Sequence, residues 1–209
     1  MLPPRKGEGS YGPCGDASAF DASLVMRVVG GRLKGRNIAS PQTQAIRPTA
    51  DRLREALFNI LIHAYDNPVL DARVLDLFAG TGALGIEAVS RGAGFTLFVD
   101  NGAEARALLR NNVEALGLGG TTKVYRRDAA DLGPAHPVEP FSLVFLDPPY
   151  RMKLAEKALA SLRDGGWLTP DALLVVEEAK SAEFKAPERF EELERRAYDD
   201  TEFTFLRFN

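Results

Sequence analysis

Cysteine and histidine are nearly missing from this sequence. Its 209 residues include one cysteine, Cys14, and two histidines, His63 and His136. A lone cysteine excludes an internal disulfide. Two distant histidines without a cysteine cluster leave no ligand set for a structural zinc, so no metal is expected. Long apolar runs are missing too: none approaches the roughly 20 residues that cross a bilayer. No charged-then-apolar leader opens the chain, so neither a membrane nor secretion is expected. The expected setting is a reducing cytoplasm.

What is present is ordinary in amount and uneven in placement. A 45% hydrophobic content over 209 residues suffices for one α/β domain with a core and an appendage. The net charge is −3, yet residues 26–54 hold Arg27, Arg32, Lys34, Arg36, Arg47, Arg52 and Arg54 against Asp51 alone. The remainder is correspondingly acidic. A basic segment on an acidic body suits an anionic partner such as a nucleic-acid backbone; a solvated charged surface gives the same count.

Residues 1–25, rich in Gly, Pro and Ser without periodicity, read as a disordered leader. "MRVVGGRLKGRNIAS" reads as two short strands around glycines, a basic hairpin arm over residues 26–48. Residues 49–209 then form the main domain. "TADRLREALFNILIHAY" predicts a helix with Thr49 as its cap and Asp51 at its positive end. From residue 73 strands and helices alternate: "RVLDLFA", "GALGIEAVSR", "FTLFVD", "AEARALLRNNVEAL", "TKVYRRD", "FSLVFLD", "KLAEKALASL", "ALLVVEE". "RRAYDDTEFTFLRF" predicts a closing antiparallel hairpin. The fold class is α/β, with a mostly parallel, doubly wound sheet. Ligands bind such sheets at the carboxyl ends of strands, which singles out the strand-ending acids Asp76, Asp100, Asp128 and Asp147.

"DLFAGTGALG" places Gly80, Thr81, Gly82 and Gly85 between a strand and a helix, with Asp100 twenty residues beyond Gly80. Glycines let the backbone approach a ligand, and an acid ending the next strand accepts ribose hydroxyls. The pattern points to a nucleoside-containing cofactor. Asp76, four residues before Gly80, would repel a pyrophosphate and suit the cationic amino-acid end of S-adenosylmethionine. Asp128 with Ala129 would meet the adenine through a carboxylate and a backbone N–H.

"LVFLDPPY" ends the fourth strand in Asp147, Pro148, Pro149 and Tyr150. Proline fixes φ and removes backbone donors, so the turn is rigid and its carbonyls are free to accept. Asp147 and a neighbouring carbonyl can hold both hydrogens of an exocyclic amino group and aim its lone pair at a methyl group. Tyr150 can stack on a base swung out of its surroundings.

With these motifs in view, the sequence resembles the RsmD-type family of bacterial methyltransferases from about Met26 to its end. The likeness rests on "RVVGGRLKGR", "RPTADRLREALFNIL", "VLDLFAGTGALGIEAVSRGA" and "VFLDPPY", in that order. It implies a Rossmann-like, seven-stranded S-adenosylmethionine-dependent methyltransferase fold with an N-terminal hairpin arm. It implies methylation of a guanine N2 in 16S ribosomal RNA. By motif, Asp76, Gly80 and Gly82 line the cofactor and Asp100 takes the ribose. Asp128 and Ala129 flank the adenine, and Asp147, Pro148 and Tyr150 meet the base. Thr81 stands where serine is usual and Asp100 where glutamate is common.

Arg32, Lys34 and Arg36 on the arm are expected to track RNA phosphates. Arg47, Arg52 and Arg54, at the start of the first helix, are expected to contact phosphate or the cofactor's mouth. With so short an arm, the expected partner is an assembled small ribosomal subunit, met by a monomer. Three other readings compete. A DNA adenine-N6 methyltransferase uses the same D-P-P-Y chemistry but needs a target-recognition region, and no insertion is long enough. An NAD-dependent oxidoreductase needs a proton-transfer group, and neither histidine is well placed. A non-catalytic RNA-binding protein would have no use for the acid and the glycine loop together.

Overall fold

Apolar runs of Leu, Val and Phe form the centre, as expected of parallel strands covered on both faces. The computed structural model describes residues 26–41, 48–149 and 153–209. The leader with Cys14, as well as Arg47 and Tyr150, lies outside the described residues. Strands β3 (Arg73–Leu77), β4 (Phe95–Val99), β5 (Thr122–Tyr125), β6 (Phe141–Leu146) and β7 (Leu168–Ala179) run parallel. Strands β8 (Phe190–Tyr198) and β9 (Thr201–Phe208) form the closing hairpin, with β9 antiparallel to both β7 and β8. The order across the sheet is β5-β4-β3-β6-β7-β9-β8. From β3 the chain winds one way to β4 and β5, then returns to β3's other side at β6. The crevice therefore opens where β3 and β6 end.

Helices α1 (Pro48–Ala64), α2 (Ala83–Ser90), α3 (Ala103–Ala115) and α4 (Leu154–Gly165) cover the two faces. Leu57, Phe58 and Leu61 of α1 pack on Val74, Phe145, Val175 and Phe205. On the other face, Leu159 and Leu162 of α4 meet Leu75, Val144 and Trp167. No helix among the described residues is long and apolar enough to cross a membrane.

Several boundaries differ from expectation, β7 for example beginning at Leu168 instead of Ala172. Helix α1 starts at Pro48, so Thr49 lies within the first turn instead of capping it; a proline loses nothing there, because the first N–H groups of a helix lack intrahelical partners anyway. Strand β5 stops at Tyr125, before "RRD", because β4 pairs it only from Thr122 to Tyr125. The closing hairpin begins at Phe190, since an edge strand tolerates the charged run "EELERR".

The N-terminal hairpin is not a projecting arm. Strands β1 (Met26–Arg27) and β2 (Asn37–Ile38) pair antiparallel around a 3-10 turn at Gly31–Leu33. Val28, Leu33 and Ile38 pack on Ile86 and Val89 of α2 and Leu109 of α3. The Val29 N–H donates to Glu87 at 2.8 Å, and the Leu33 N–H donates to the Ser90 hydroxyl at 2.9 Å. Gly31, at φ +72°, sits so close to α2 that a Cβ there would overlap the Ser90 carbonyl. Asn112 of α3 completes the seam. Its side chain exchanges two hydrogen bonds with Ala39 and donates a third to the Thr81 carbonyl in the glycine loop.

Candidate active site

A cleft of about 1310 Å³ opens over the ends of β3, β4, β6 and β7. The glycine loop forms one wall. Gly80 holds φ +53°, and a side chain there would meet almost nothing, so the loop presents bare backbone to the cleft. The Gly80 N–H donates to Asp100 at 2.9 Å, and the other Asp100 oxygen accepts from Gly102 at 2.7 Å. Asp76 lies beneath the loop, 2% exposed, and accepts from the Gly85 N–H at 2.9 Å. Burial raises its carboxyl well above the usual range against the pull of that bond, and the charges of Asp147 and Asp100 add to the rise.

The opposite wall begins with Asp147, Pro148 and Pro149, directly after β6. Glu177 follows at the end of β7, then Tyr198, Asp199 and Asp200 at the β8–β9 turn. Asp147 is open to cleft water on one side and crowded by protein on the other. That crowding pushes its carboxyl up to about 6. Glu177 is half-buried; desolvation first, then the charge of Asp147, push it up to about 8 against the attraction of Arg54. The two carboxyls titrate as a pair.

Asp76, Gly80, Thr81, Asp100, Ala129, Asp147 and Pro148 all border the cleft. Gly82 does not: it is buried against Leu109 and Phe98, where a Cβ would overlap Leu109. It holds φ +80° at the start of α2. Gly85 is packed as closely, with Phe98 and Thr96 filling the space of a side chain. Asp128 also stays out of the cleft wall; beyond the end of β5 it is exposed and accepts from the Ala130 N–H at 2.9 Å. Tyr150 lies outside the described residues.

The basic residues divide as well. Arg32, Lys34 and Arg52 are exposed, and Arg36 is exposed while donating to the Ala115 carbonyl at the end of α3. Arg54 borders the cleft but is tied into the protein on its other sides. It is buried, 2.8 Å from Asp51, donates to the Arg27 carbonyl, and lies 3.7 Å from the fully buried Glu87. Glu87 also holds Arg91 at 2.6 Å. This charged cluster fastens α1 and the hairpin to α2. Among the described residues, no group of His, Cys, Asp and Glu is arranged to hold a metal ion.

Comparison with known proteins places this architecture. The family described as Conserved hypothetical protein 95 matches residues 26–207. The chain belongs to the RsmD family. A relative from Escherichia coli K12, Ribosomal RNA small subunit methyltransferase D, is 40% identical over 153 residues, 73% of this chain and 74% of the relative. Its namesake from Haemophilus influenzae is 33% identical over 172 residues, 81% and 87% of the two chains. Among solved structures, the yhhF protein of Escherichia coli superposes with a TM-score of 0.73 at 30% identity, covering 88% of this chain and 98% of the other. The Thermus thermophilus protein TTHA0928 gives 0.67 at 32% identity, covering 87% and 98%. The RsmD family motifs thus fall on the hairpin seam, α1 and the two facing walls of the cleft.

Sequence reasoning passed over Glu177 and Tyr198, and did not foresee the ion pairs of Arg54, which lines the cleft as well. "VVEE" offers two adjacent acids with no mark to choose between them, and "YDDT" reads only as a turn. For Arg54, its spacing three residues after Asp51 on a helix was the available signal for an ion pair.

Proposed function

We propose that the protein methylates the exocyclic N2 of a guanine in small-subunit ribosomal RNA, using S-adenosylmethionine and acting as a monomer on an assembled or assembling particle. The observation that carries this reading is the facing of two motifs across one cleft: the bare glycine loop on one side, Asp147-Pro148-Pro149 on the other. The relatives named as ribosomal RNA small subunit methyltransferases support the substrate class.

The residues fit the cofactor. Asp100 ends β4 at the cleft wall, where a ribose needs an acceptor, and Gly80 leaves room for close approach. The acid-rich floor of Asp76, Asp147 and Glu177 suits a ligand that carries positive charge. Bound there, S-adenosylmethionine supplies a methyl group on a cationic sulfur. Asp147 and a carbonyl of the proline turn hold the two N–H groups of the amino nitrogen, which orients a lone pair otherwise spread into the ring. The nitrogen–methyl bond would form as the sulfur–methyl bond breaks, leaving a neutral thioether, and the nitrogen would shed one proton toward the ionised Asp147, whose held hydrogen bond strengthens as positive charge develops.

Transfer of labelled methyl to three acceptors in parallel tests the reading: unmethylated small subunits, their protein-free RNA, and duplex DNA, each followed by nucleoside analysis. N2-methylguanosine from subunits is the expected product. N6-methyladenine from DNA, or no transfer with cofactor bound, would overturn the proposal.

A further inference from the structure

The acid after β6 and the acid near the end of β7 are unequally used by this mechanism: Asp147 takes the amino group, while Glu177 only adds to the charge of the cleft floor. The β6–β7 register pairs Leu146 with Val176, so Asp147, the first residue past β6, lies beside Glu177, which is still within β7 and paired with Phe203 of β9. Both border the cleft. No described residue donates a hydrogen bond to either carboxyl; burial and neighbouring charges alone set their states. Among the described residues, the cation that acts on Glu177 is Arg54, which is already engaged by Asp51, Glu87 and the Arg27 carbonyl. A carboxylate open to a cleft, with its cation committed elsewhere, is placed to take a donor from a ligand.

Guanine carries two adjacent kinds of donor on one edge, the N2 amino group and the ring N1–H. We infer that Glu177 accepts the N1–H of the target guanine while Asp147 holds its amino group, so that the paired strand ends select guanine over other bases. Adenine and cytosine present a lone pair at the corresponding ring nitrogen, which a carboxylate repels. The pairing also answers the repulsion between the two acids. A donor on each favours the ionised forms that burial opposes. The inference rests on the reading of Asp147 as the holder of the amino group.

The test uses small subunits in which the methylated guanine is replaced by 2-aminopurine. That base keeps the amino group and lacks the N1–H. kcat/KM for methyl transfer is measured on both substrates with the wild type, Glu177→Gln and Glu177→Asp. Wild type is expected to lose about 10- to 100-fold on 2-aminopurine, the range for one hydrogen bond to a charged group. In Glu177→Gln the amide can donate to the bare N1, so the preference for guanine should vanish or reverse. Glu177→Asp keeps the charge at shorter reach and should keep the preference at a lower rate. A Glu177→Gln that retains the wild-type ratio, or loses equally on both substrates, overturns the inference. Failure of the wild type on guanine itself would instead overturn the function proposed above. Cofactor affinity and melting temperature of each variant separate a lost contact from a lost fold.

Discussion

Asp147 and Glu177 show most clearly how single residues divide the work. Asp147→Asn keeps the shape of the side chain and replaces an acceptor by a donor. Turnover should fall about 10²- to 10³-fold, while calorimetry finds cofactor affinity nearly unchanged. Both carboxyls, raised to about 6 and about 8, must ionise to accept, so methyl transfer should climb as pH rises across that interval. Asp147→Asn should lose the lower part of the climb. Glu177 makes a prediction about stability without substrate. Its folded value, about 8, lies above the ordinary 4.5, so the folded protein binds a proton that the unfolded chain releases. Stability from this group is complete below pH 4.5 and is lost as pH rises toward 8. Glu177→Gln should therefore melt like the wild type near pH 4.5 and above it at pH 8, by thermal denaturation. Asp147 was legible in the sequence because an acid followed by two prolines has few purposes at a strand's end. Glu177 was not, because only the β6–β7 register says which of two adjacent glutamates reaches the cleft.

At the scale of elements, the sheet and its helices were readable because their apolar runs and glycine stops follow fixed periods. The docking of the hairpin was not. "RVVGGRLKGR" announces two strands and a basic surface, but its attachment is made by Glu87, Ser90 and Asn112, residues more than fifty positions away. Glu87 is central to it: fully buried, it accepts from the Val29 backbone and pairs with Arg91 and Arg54. Glu87→Leu would strand two arginines and a backbone donor, costing about 3–5 kcal/mol of stability in urea unfolding. Limited proteolysis should then cut first within residues 26–41. Glu87→Gln keeps an acceptor and should lose less.

The whole molecule carries its charges apart. Arg32, Lys34 and Arg36 are exposed on the hairpin, while the cleft collects Asp76, Asp100, Asp147, Glu177, Asp199 and Asp200. Such a distribution would attract a polyanion to the first surface and repel it from the second. Reversing the charge of all three hairpin residues should weaken RNA binding and lower the slope of log affinity against log salt by roughly 2. Filter binding across a salt series reads both. Cofactor affinity should not move. This separation was visible in the sequence as a basic block on an acidic chain, though Arg54, counted there, belongs to the interior.

The seam at Asn112 also orders events in time. One amide ties the hairpin at Ala39 to the glycine loop at Thr81. A ribosome making this chain releases the hairpin before α2 and long before α3, so the basic surface lacks its full seat until Asn112, 73 residues beyond Ala39, has emerged. The part that would grip RNA is finished only together with the part that would hold the methyl donor, and a half-made chain has neither.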